Sequence, residues 1–365
     1  MAEKKPIYSN FNFCGELVFP KKNGPWVKRE TFNGKDRISM NFGVKAGTNI
    51  GYVTAGCWKN DVIKTKNTDN NDIDVDWKNR LDEDVINDVA SYRRYVVNLG
   101  ERKEFITSWD MIEYLESALA GYAEPVVVTG QFVIRPGTGK SKDRTFKEFS
   151  VQNVYAVNEN DKPLLTMNAE LFYDRNSLDK KSEKDNGKIY LSAYTPQWVN
   201  SDVGRKMFPI QLVIDTKVLK DHPDWVDYKL EYLETKSRNP VHMDWDIGIV
   251  NGAEEVPFSI DSLTPPQRRQ VELGMKDLEF FRRRNGSIRG EKQDELRLVV
   301  PRLIGEFSES TGAEDSGMTA LEFEDEIYVP SADESVDDMM KTSSKTKASS
   351  AKASPTDEEN IENIF

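Results

Sequence analysis

The sequence predicts a mainly β protein with two similar β-rich units, added helices and an acidic tail. Alternating apolar and polar residues indicate strands, for example at 11–19 and 37–45. Three strands, one helix and two strands follow one another in residues 1–158, and residues 159–307 show the same order more faintly. Residues 308–365 are rich in Ser, Asp and Glu and are predicted to be disordered.

The first unit has the element order of an OB-fold, a five-stranded Greek-key barrel with its helix between strands three and four. Its predicted elements, in order, are strands 11–19, 37–45 and 50–58, helix 107–122, and strands 125–135 and 146–157. Residues 59–104 interrupt this order with an Asp- and Asn-rich stretch. We expect them to form an acidic insertion, partly helical near 82–97.

The second unit predicts another OB-like domain. Its elements are strands 164–173, 188–199 and 206–215, helix 223–236, and strands 241–250 and 256–260. A further helix is predicted over 264–284, with Thr264 as its cap and Pro265 in its first turn. Residues 295–307 are then expected to pack back as a final strand. No residue-level repeat connects the two units, so the similarity concerns their architecture.

Charge is distributed unevenly along the chain. The net charge is −12, and residues 305–365 hold 16 carboxylates and 4 lysines, whereas residues 1–304 hold 46 acidic and 46 basic residues. The acidity therefore belongs to the tail. No apolar run is long enough to cross a membrane and no secretory signal opens the chain, which predicts a cytoplasmic location, in the host if the protein is viral. Two cysteines and two histidines are too few for a zinc framework.

No catalytic constellation stands out in the sequence. Gly139-Lys140-Ser141 resembles the end of a phosphate-binding loop, but Ile134 occupies the position of the required glycine and a strand follows instead of a helix. We therefore expect no enzymatic activity, no cofactor and no bound metal. A metal-dependent nuclease with an OB module, or a β-rich structural or adaptor protein, remains an alternative.

Two loops carry candidate nucleic-acid-binding residues, because an OB-fold grips oligonucleotides with the loops between strands one and two and between strands four and five. Cations suit phosphates, and flat rings suit unpaired bases. The first loop supplies Trp26, Lys28, Arg29, Phe32, Lys35 and Arg37, and the second supplies Arg135, Lys140, Lys142, Arg144 and Phe146. Trp26 has an alternative role as an anchor that holds its loop to the barrel.

The third predicted strand carries the clearest indication of a nucleic-acid-binding surface. Tyr52 and Trp58 are six residues apart, so a period of two places both on one face, opposite Val53 and Ala55. Two large rings on the non-core face of a barrel strand form a stacking platform, and Asn41 points outward from the neighbouring strand. The alternative is that these rings pack beneath a loop or at an interface.

These segments resemble the bacterial and bacteriophage family of OB-fold single-stranded DNA-binding proteins. The resemblance covers residues 1–158 without the insertion and rests on Gly15-Glu16-Leu17, MNFGVK, YVTAGCW, MIEYLESALAGY, EPVVVTGQF and KEFSVQNVYAV. It implies that Tyr52 and Trp58 stack on bases, and that the protein coats and protects single-stranded DNA in replication, recombination and repair. RNA is an alternative ligand. The insertion and the second unit favour a bacteriophage or plasmid protein.

The chain ends TDEENIENIF, which resembles the acidic tip through which members of this family recruit replication and repair enzymes. The aspartate run and the proline before the final phenylalanine, both usual in the family, are missing here. The resemblance implies a partner-binding tip formed by Asp357, Glu358, Glu359, Ile361, Glu362, Ile364 and Phe365. Alternatively the tail only solubilises the protein. We also expect the acidic tail to compete with DNA for the basic loops.

Overall fold

The structure is a computed structural model that describes residues 9–20, 25–137, 145–200, 203–256, 259–260, 263–285, 288–302 and 313–329. The strands are β1 Asn10–Val18, β2 Val27–Phe32, β3 Lys35–Ala46, β4 Asn49–Trp58, β5 Val62–Lys66, β6 Asp72–Asp76, β7 Tyr95–Asn98, β8 Arg102–Phe105, β9 Val126–Pro136, β10 Thr145–Ala156, β11 Leu164–Tyr173, β12 Leu178–Asp179, β13 Lys188–Asn200, β14 Gly204–Asp215, β15 Val241–Val256, β16 Ile288–Pro301 and β17 Glu314–Asp315. The helices are α1 Glu83–Asp88, α2 Ser108–Ala118, α3 Glu183–Asn186, α4 Pro223–Leu233, α5 Pro265–Glu272, α6 Leu278–Asn285 and α7 Ala320–Glu326.

The first barrel closes through five strand pairs. β1 pairs antiparallel with β3, and β3 pairs antiparallel with β4. β4 then pairs with β10 in parallel, β10 neighbours β9, and β9 returns antiparallel to β1. Since α2 lies between the third and fourth barrel strands in the chain, this ring is an OB-fold, as the sequence predicts.

Apolar side chains at alternate strand positions fill the interior of this barrel. Every second residue of β3 from Ile38 to Val44 is buried, and α2 contributes Met111, Ile112 and Leu115 to the same core. Two strand crossings leave no room for a side chain: a Cβ on Gly15 would lie 2.1 Å from the Lys45 carbonyl oxygen, and one on Gly130 would lie 1.9 Å from that of Ser150. Glycine at both positions therefore permits the barrel to close.

The second barrel repeats the arrangement. β11 pairs with β13, β13 pairs with β14, and β14 pairs in parallel with β16. β16 pairs with β15, which returns antiparallel to β11. Trp245, Leu171 and Ile210 are buried in the core. The predicted second OB-like unit is confirmed by these pairings.

The structure corrects two details of this second unit. Its fifth strand is β16, which overlaps the final strand predicted over 295–307, and not the strand predicted at 256–260. The predicted helix over 264–284 therefore lies between the fourth and fifth barrel strands. That helix is also divided into α5 and α6. Gly274 is the local cause of this division. It directly follows Leu273, the C-cap of α5, and its φ is +66°, a left-handed conformation that glycine adopts without strain.

The two barrels share one continuous sheet. β1 pairs antiparallel with β11, from Phe11 opposite Met167 to Cys14 opposite Leu164. A long hairpin arm formed by β15 and β16 also reaches the first barrel, where Gly252 pairs with Asn49 at the start of β4. The first strand of each barrel thus closes its own barrel and joins it to the other.

The insertion is folded, and its Val75 and Val89 form a small separate core with Ile106, which directly follows it. It contains the β5–β6 hairpin, α1 and the β7–β8 hairpin, and β7 pairs in parallel with β10 of the barrel. Short helices at Glu83–Asp88 and Ser91–Arg93 agree with the partly helical structure expected near 82–97. Arg80 joins the insertion to α2 through an ion pair with Asp110, with 3.1 Å between Nε and Oδ1.

Residues 313–328 form a strap that folds onto the second barrel, although the sequence places them in the acidic tail. β17 pairs with the start of β15, and α7 begins with a capping box between Thr319 and Glu322. The apolar side chain of Phe323 is buried to 8% exposure, which gives the acidic segment a hydrophobic anchor. The folded region thus extends at least to Tyr328, beyond the predicted boundary at 308. The predicted partner-binding tip, residues 357–365, lies outside the described residues.

Ionisable groups cluster beside the strap on the outer face of the second barrel. His242 Nδ1 lies 2.8 Å from Glu170 Oε1. Asp244 follows on the same face of β15, and its Oδ1 is buried without a hydrogen-bond partner among the described residues. Burial raises the pKa of Asp244, and Glu170 and Asp246 raise it further, while Arg302 and His242 act in the opposite direction.

This raised pKa predicts a pH-dependent stability. Asp244 keeps its proton to higher pH in the folded state than in the unfolded chain. Its contribution to the free energy of unfolding therefore falls as pH rises from 3.8, the ordinary pKa of this carboxyl, through its pKa in the folded state. We expect Asp244→Asn to raise the melting temperature at neutral pH, and the gain to shrink towards about pH 4. Thermal unfolding across pH measures this, with Asp69→Asn in the β5–β6 turn as control. A lower melting temperature for Asp244→Asn at neutral pH would contradict the prediction.

No helix in the described part of the chain is long and apolar enough to span a membrane. The described residues also contain no group of three or more His, Cys, Asp or Glu side chains arranged to hold a metal ion.

Candidate nucleic-acid interface

The outer face of β3 and β4 carries the two predicted stacking rings. Trp58 pairs with Arg37 across the two strands, and Tyr52 pairs with Gly43. Tyr52 is 48% exposed, whereas its neighbour Val53 is fully buried on the opposite face. The structure therefore places Tyr52 and Trp58 together on the solvent side of the barrel.

Gly43 determines how open the Tyr52 ring is. A Cβ at this position would lie 2.7 Å from Ile50 Cγ2 and 3.5 Å from Tyr52 Cε1. Any side chain here would extend along the Tyr52 ring and displace Ile50. With glycine opposite, the ring stays accessible to a flat ligand.

Trp58 is half-buried and already has a cationic partner. The Arg37 guanidinium carbon lies 5.5 Å from the Trp58 ring centroid. Such cation–π contacts at exposed sites contribute about 0.5–1 kcal/mol. Stacking on a base contributes more, about 1–3 kcal/mol, so the Arg37 contact does not close the Trp58 ring to a flat ligand.

The first predicted loop is a β-hairpin that extends this face. Asn33 and Gly34 have φ of 50° and 75°, as in the two-residue turns with positive φ that match the twist of a hairpin. The register pairs Lys28 with Ser39 and Phe32 with Lys35, which places both on the same side as Arg37. Phe32 is 54% exposed. Lys28 and Lys35 form no ion pair with any residue that the structure describes.

We call this outer surface of β2, β3 and β4 the platform. It contains seven of the predicted site residues: Lys28, Phe32, Lys35, Arg37, Asn41, Tyr52 and Trp58. Lys45 and Thr54 lie on the same face of β3 and β4 and are not among the predicted site residues, although the same alternation identifies them.

Two predicted residues of the first loop hold the hairpin to the barrel instead. The Trp26 ring is half-buried, with its centroid 5.0 Å from that of Phe19 and 6.0 Å from that of Phe42, which is the anchor arrangement. Arg29 points away from the platform and pairs with Glu116 of α2, with 2.7 Å between Nη2 and Oε2. Neither side chain lines the platform.

The second predicted loop contributes fewer described residues. Ser150 pairs with Thr54, so alternation places Phe146 and Glu148 on the outer side of β10. Phe146 is 43% exposed. Arg135 Nε lies 2.6 Å from Glu148 Oε2, so this cation is paired. Lys140, Lys142 and Arg144 lie outside the described residues.

Comparisons with known proteins do not assign the chain to a family. No known protein-family model and no curated protein matches the chain. A crystal structure of a deletion mutant of the single-stranded DNA-binding protein from Thermus aquaticus matches at 9% identity and a TM-score of 0.32, over 83% of this chain and 98% of that one. The wild-type Thermus aquaticus protein matches at 10% identity and a TM-score of 0.31, over 67% of this chain and 85% of that one. At these values the strand pairings, not the likeness, carry the OB-fold assignment.

Proposed function

We propose that this protein binds single-stranded DNA without sequence preference through the platform, as a non-enzymatic coat. The observation that carries the proposal is the pair of rings, Tyr52 and Trp58, on one outer barrel face beside the exposed cations Lys28 and Lys35. Each ring that stacks on a base contributes about 1–3 kcal/mol, and every base has a flat face to offer. The lysines supply phosphate neutralisation, which also ignores sequence.

The rings favour single strands over duplexes for a physical reason. Bases in a duplex already stack on one another, and opening a base step costs a few kcal/mol before a side chain can reach its face. An unpaired strand exposes its base faces without that cost. The platform therefore suits the single strands that are exposed during replication, recombination and repair.

The wider biological roles belong to the same proposal. The C-terminal tip, Asp357–Phe365, recruits replication and recombination proteins, since a short acidic peptide with a terminal aromatic residue can dock in a basic, apolar groove. The protein acts in the cytoplasm, that of the host if it comes from a bacteriophage, which its long insertion and second barrel favour.

A direct binding experiment tests the proposal. Fluorescence anisotropy would compare labelled oligo(dT), duplex DNA and single-stranded RNA of equal length at about 50 and about 200 mM salt. We expect the tightest binding to oligo(dT), weaker binding to duplex, and an affinity that falls as salt increases. Absence of oligo(dT) binding, or equal affinity for duplex, would contradict the proposal, and the RNA arm measures the contribution of the 2′-OH.

The Arg135–Glu148 pair provides a charge test. An exposed ion pair contributes only about 0–1 kcal/mol, so Glu148→Gln should release Arg135 for a phosphate without unfolding the barrel. We expect tighter oligo(dT) binding and a log–log salt slope steeper by about 0.7, the value for one extra phosphate contact on a single strand.

A matched substitution controls for general charge effects. Glu101 pairs with Lys103 beside β8, away from the platform, so Glu101→Gln changes the net charge equally. If both substitutions shift the salt slope by the same amount, Arg135 is not a phosphate contact.

A further inference from the structure

A turn of the insertion, Ser91–Arg93, is attached to the strand that borders the platform. β10 runs beside β4 in the same direction, and its Ser150 pairs with Thr54. Gln152 is the next residue on that outer side of β10. Its side-chain Nε2 donates a hydrogen bond to the Tyr92 carbonyl oxygen at 2.8 Å. The turn therefore lies next to the platform, although it belongs to the insertion.

The turn lies towards the end of the platform that carries Trp58. Because β4 and β10 are parallel, the step from Ser150 to Gln152 runs in the same direction as the step from Thr54 to Trp58. Gly56, between Thr54 and Trp58, is exposed and has no side chain to raise the surface. A single strand that crosses β4 at this end of the platform therefore reaches the turn next.

Tyr92 presents a ring that is already held in place. The side chain is 54% exposed. Its hydroxyl donates to Asn70 Oδ1 in the β5–β6 turn at 2.5 Å, and the Arg93 guanidinium carbon lies 5.5 Å from the ring centroid. Arg37 lies at the same distance from the Trp58 ring. The insertion thus repeats the arrangement of ring and arginine that the platform contains.

Arg93 differs from the other arginines of the insertion in its charge partners. It is exposed and forms no ion pair with any residue that the structure describes. The other three each pair with a carboxylate: Arg80 with Asp110, and Arg94 and Arg102 with Glu104. The charge of Arg93 is therefore available to a phosphate, the anion that a nucleic-acid strand offers at every step.

We propose that Tyr92 and Arg93 form an additional subsite, which extends the single-strand path of the platform onto the insertion. A base stacks on the Tyr92 ring, and a neighbouring phosphate pairs with Arg93. The inference rests on the proposed function of the platform. It gives the insertion a part in binding, because the subsite lengthens the stretch of single strand that one chain contacts.

Oligonucleotide length tests this subsite in the full chain. Anisotropy titrations would use oligo(dT) of about 6 and about 16 nucleotides, within the usual range for one OB-fold. We expect Tyr92→Ala to weaken binding of the long oligonucleotide by roughly 5- to 150-fold, the loss of one stacked base, and to leave the short one unchanged. Tyr52→Ala should weaken both, because Tyr52 lies on the platform itself.

Two variants control for the ring. Tyr92→Phe keeps the ring and removes the hydroxyl that bonds Asn70, so it should bind both lengths as the unsubstituted protein does. Tyr228 on α4 of the second barrel is also exposed, at 38%, and Tyr228→Ala should not change binding at either length.

Arg93→Gln tests the charge independently of the ring. We expect the log–log salt slope with the long oligonucleotide to become shallower by about 0.7, the value for one phosphate contact on a single strand. Lys78→Gln removes the same charge elsewhere in the insertion, where the neighbouring Trp77 ring packs on Trp109 of α2. The Lys78 side chain is 78% exposed, and its replacement should leave the slope unchanged.

The outcomes separate this inference from the proposed function. If the unsubstituted protein does not bind oligo(dT), the proposed function fails. If it binds and Tyr52→Ala weakens both lengths, but Tyr92→Ala and Arg93→Gln bind the long oligonucleotide normally, the turn has only a structural role and the inference is overturned. Equal losses for Tyr92→Ala at both lengths, or equal changes of slope for Arg93→Gln and Lys78→Gln, would also overturn it.

Discussion

Tyr52→Ala and Trp58→Ala are each expected to weaken oligo(dT) binding by roughly 5- to 150-fold. Each substitution removes a ring whose stacking on a base contributes about 1–3 kcal/mol. Both rings lie on the outer face of β4, where truncation leaves the barrel core intact. Anisotropy titration at fixed salt measures the loss. The log–log salt slope should stay unchanged, since neither ring carries charge.

An exposed ring elsewhere provides a matched control. Trp225 on α4 is 56% exposed and does not belong to the platform. Trp225→Ala should bind oligo(dT) as the unsubstituted protein does. If this control variant loses as much affinity as the platform variants, or if Tyr52→Ala and Trp58→Ala both bind normally, the platform is not the binding surface.

Trp245→Ala is expected to lower the free energy of unfolding by about 3–5 kcal/mol, the cost of removing a large buried aromatic side chain. Trp245 is the largest of the fully buried side chains that the structure describes. It also lies in β15 where that strand pairs with both β11 and β16, so a cavity here loosens two barrel seams. Urea unfolding monitored by circular dichroism measures the change.

Trp245→Phe separates volume from polarity at the same site. The indole Nε1 of Trp245 is buried without a hydrogen-bond partner among the described residues. Phenylalanine keeps much of the ring and removes this unsatisfied donor, whose burial costs about 1–3 kcal/mol. We expect Trp245→Phe to be much less destabilising than Trp245→Ala. Equal losses for the two variants would contradict this expectation, because they would mean that the phenyl ring retains none of the packing stability.

Much of the first barrel was predictable because its signals are local. Alternation along β3 and β4 identified the buried residues and placed Tyr52 and Trp58 on the opposite face. The order of three strands, a helix and two strands then limited the fold to a barrel of OB type. The same order identified the second barrel from weaker patterns.

In the second barrel, local sequence patterns were not sufficient to identify the fifth strand. VPFSI at 256–260 is apolar and resembles a strand, but the fifth barrel strand is the one that reaches β14, and that is β16. The α5–α6 segment has the pattern of any amphipathic helix, which contains no information about the strands that flank it in space. The strap was assigned to the tail because its carboxylates outweigh Phe323 in composition, although one buried ring anchors it.

Alternation in the sequence is enough to assign the solvent side of β3 and β4, and hence to predict that aromatic and basic residues share a face there. Which of these residues stay available depends on tertiary contacts. Arg29 meets Glu116, which is 87 residues away along the chain, and Phe323 meets Tyr194. The physical reason is that the period of side chains along a strand is a local property of the backbone, whereas the partners of a side chain depend on how distant segments fold together.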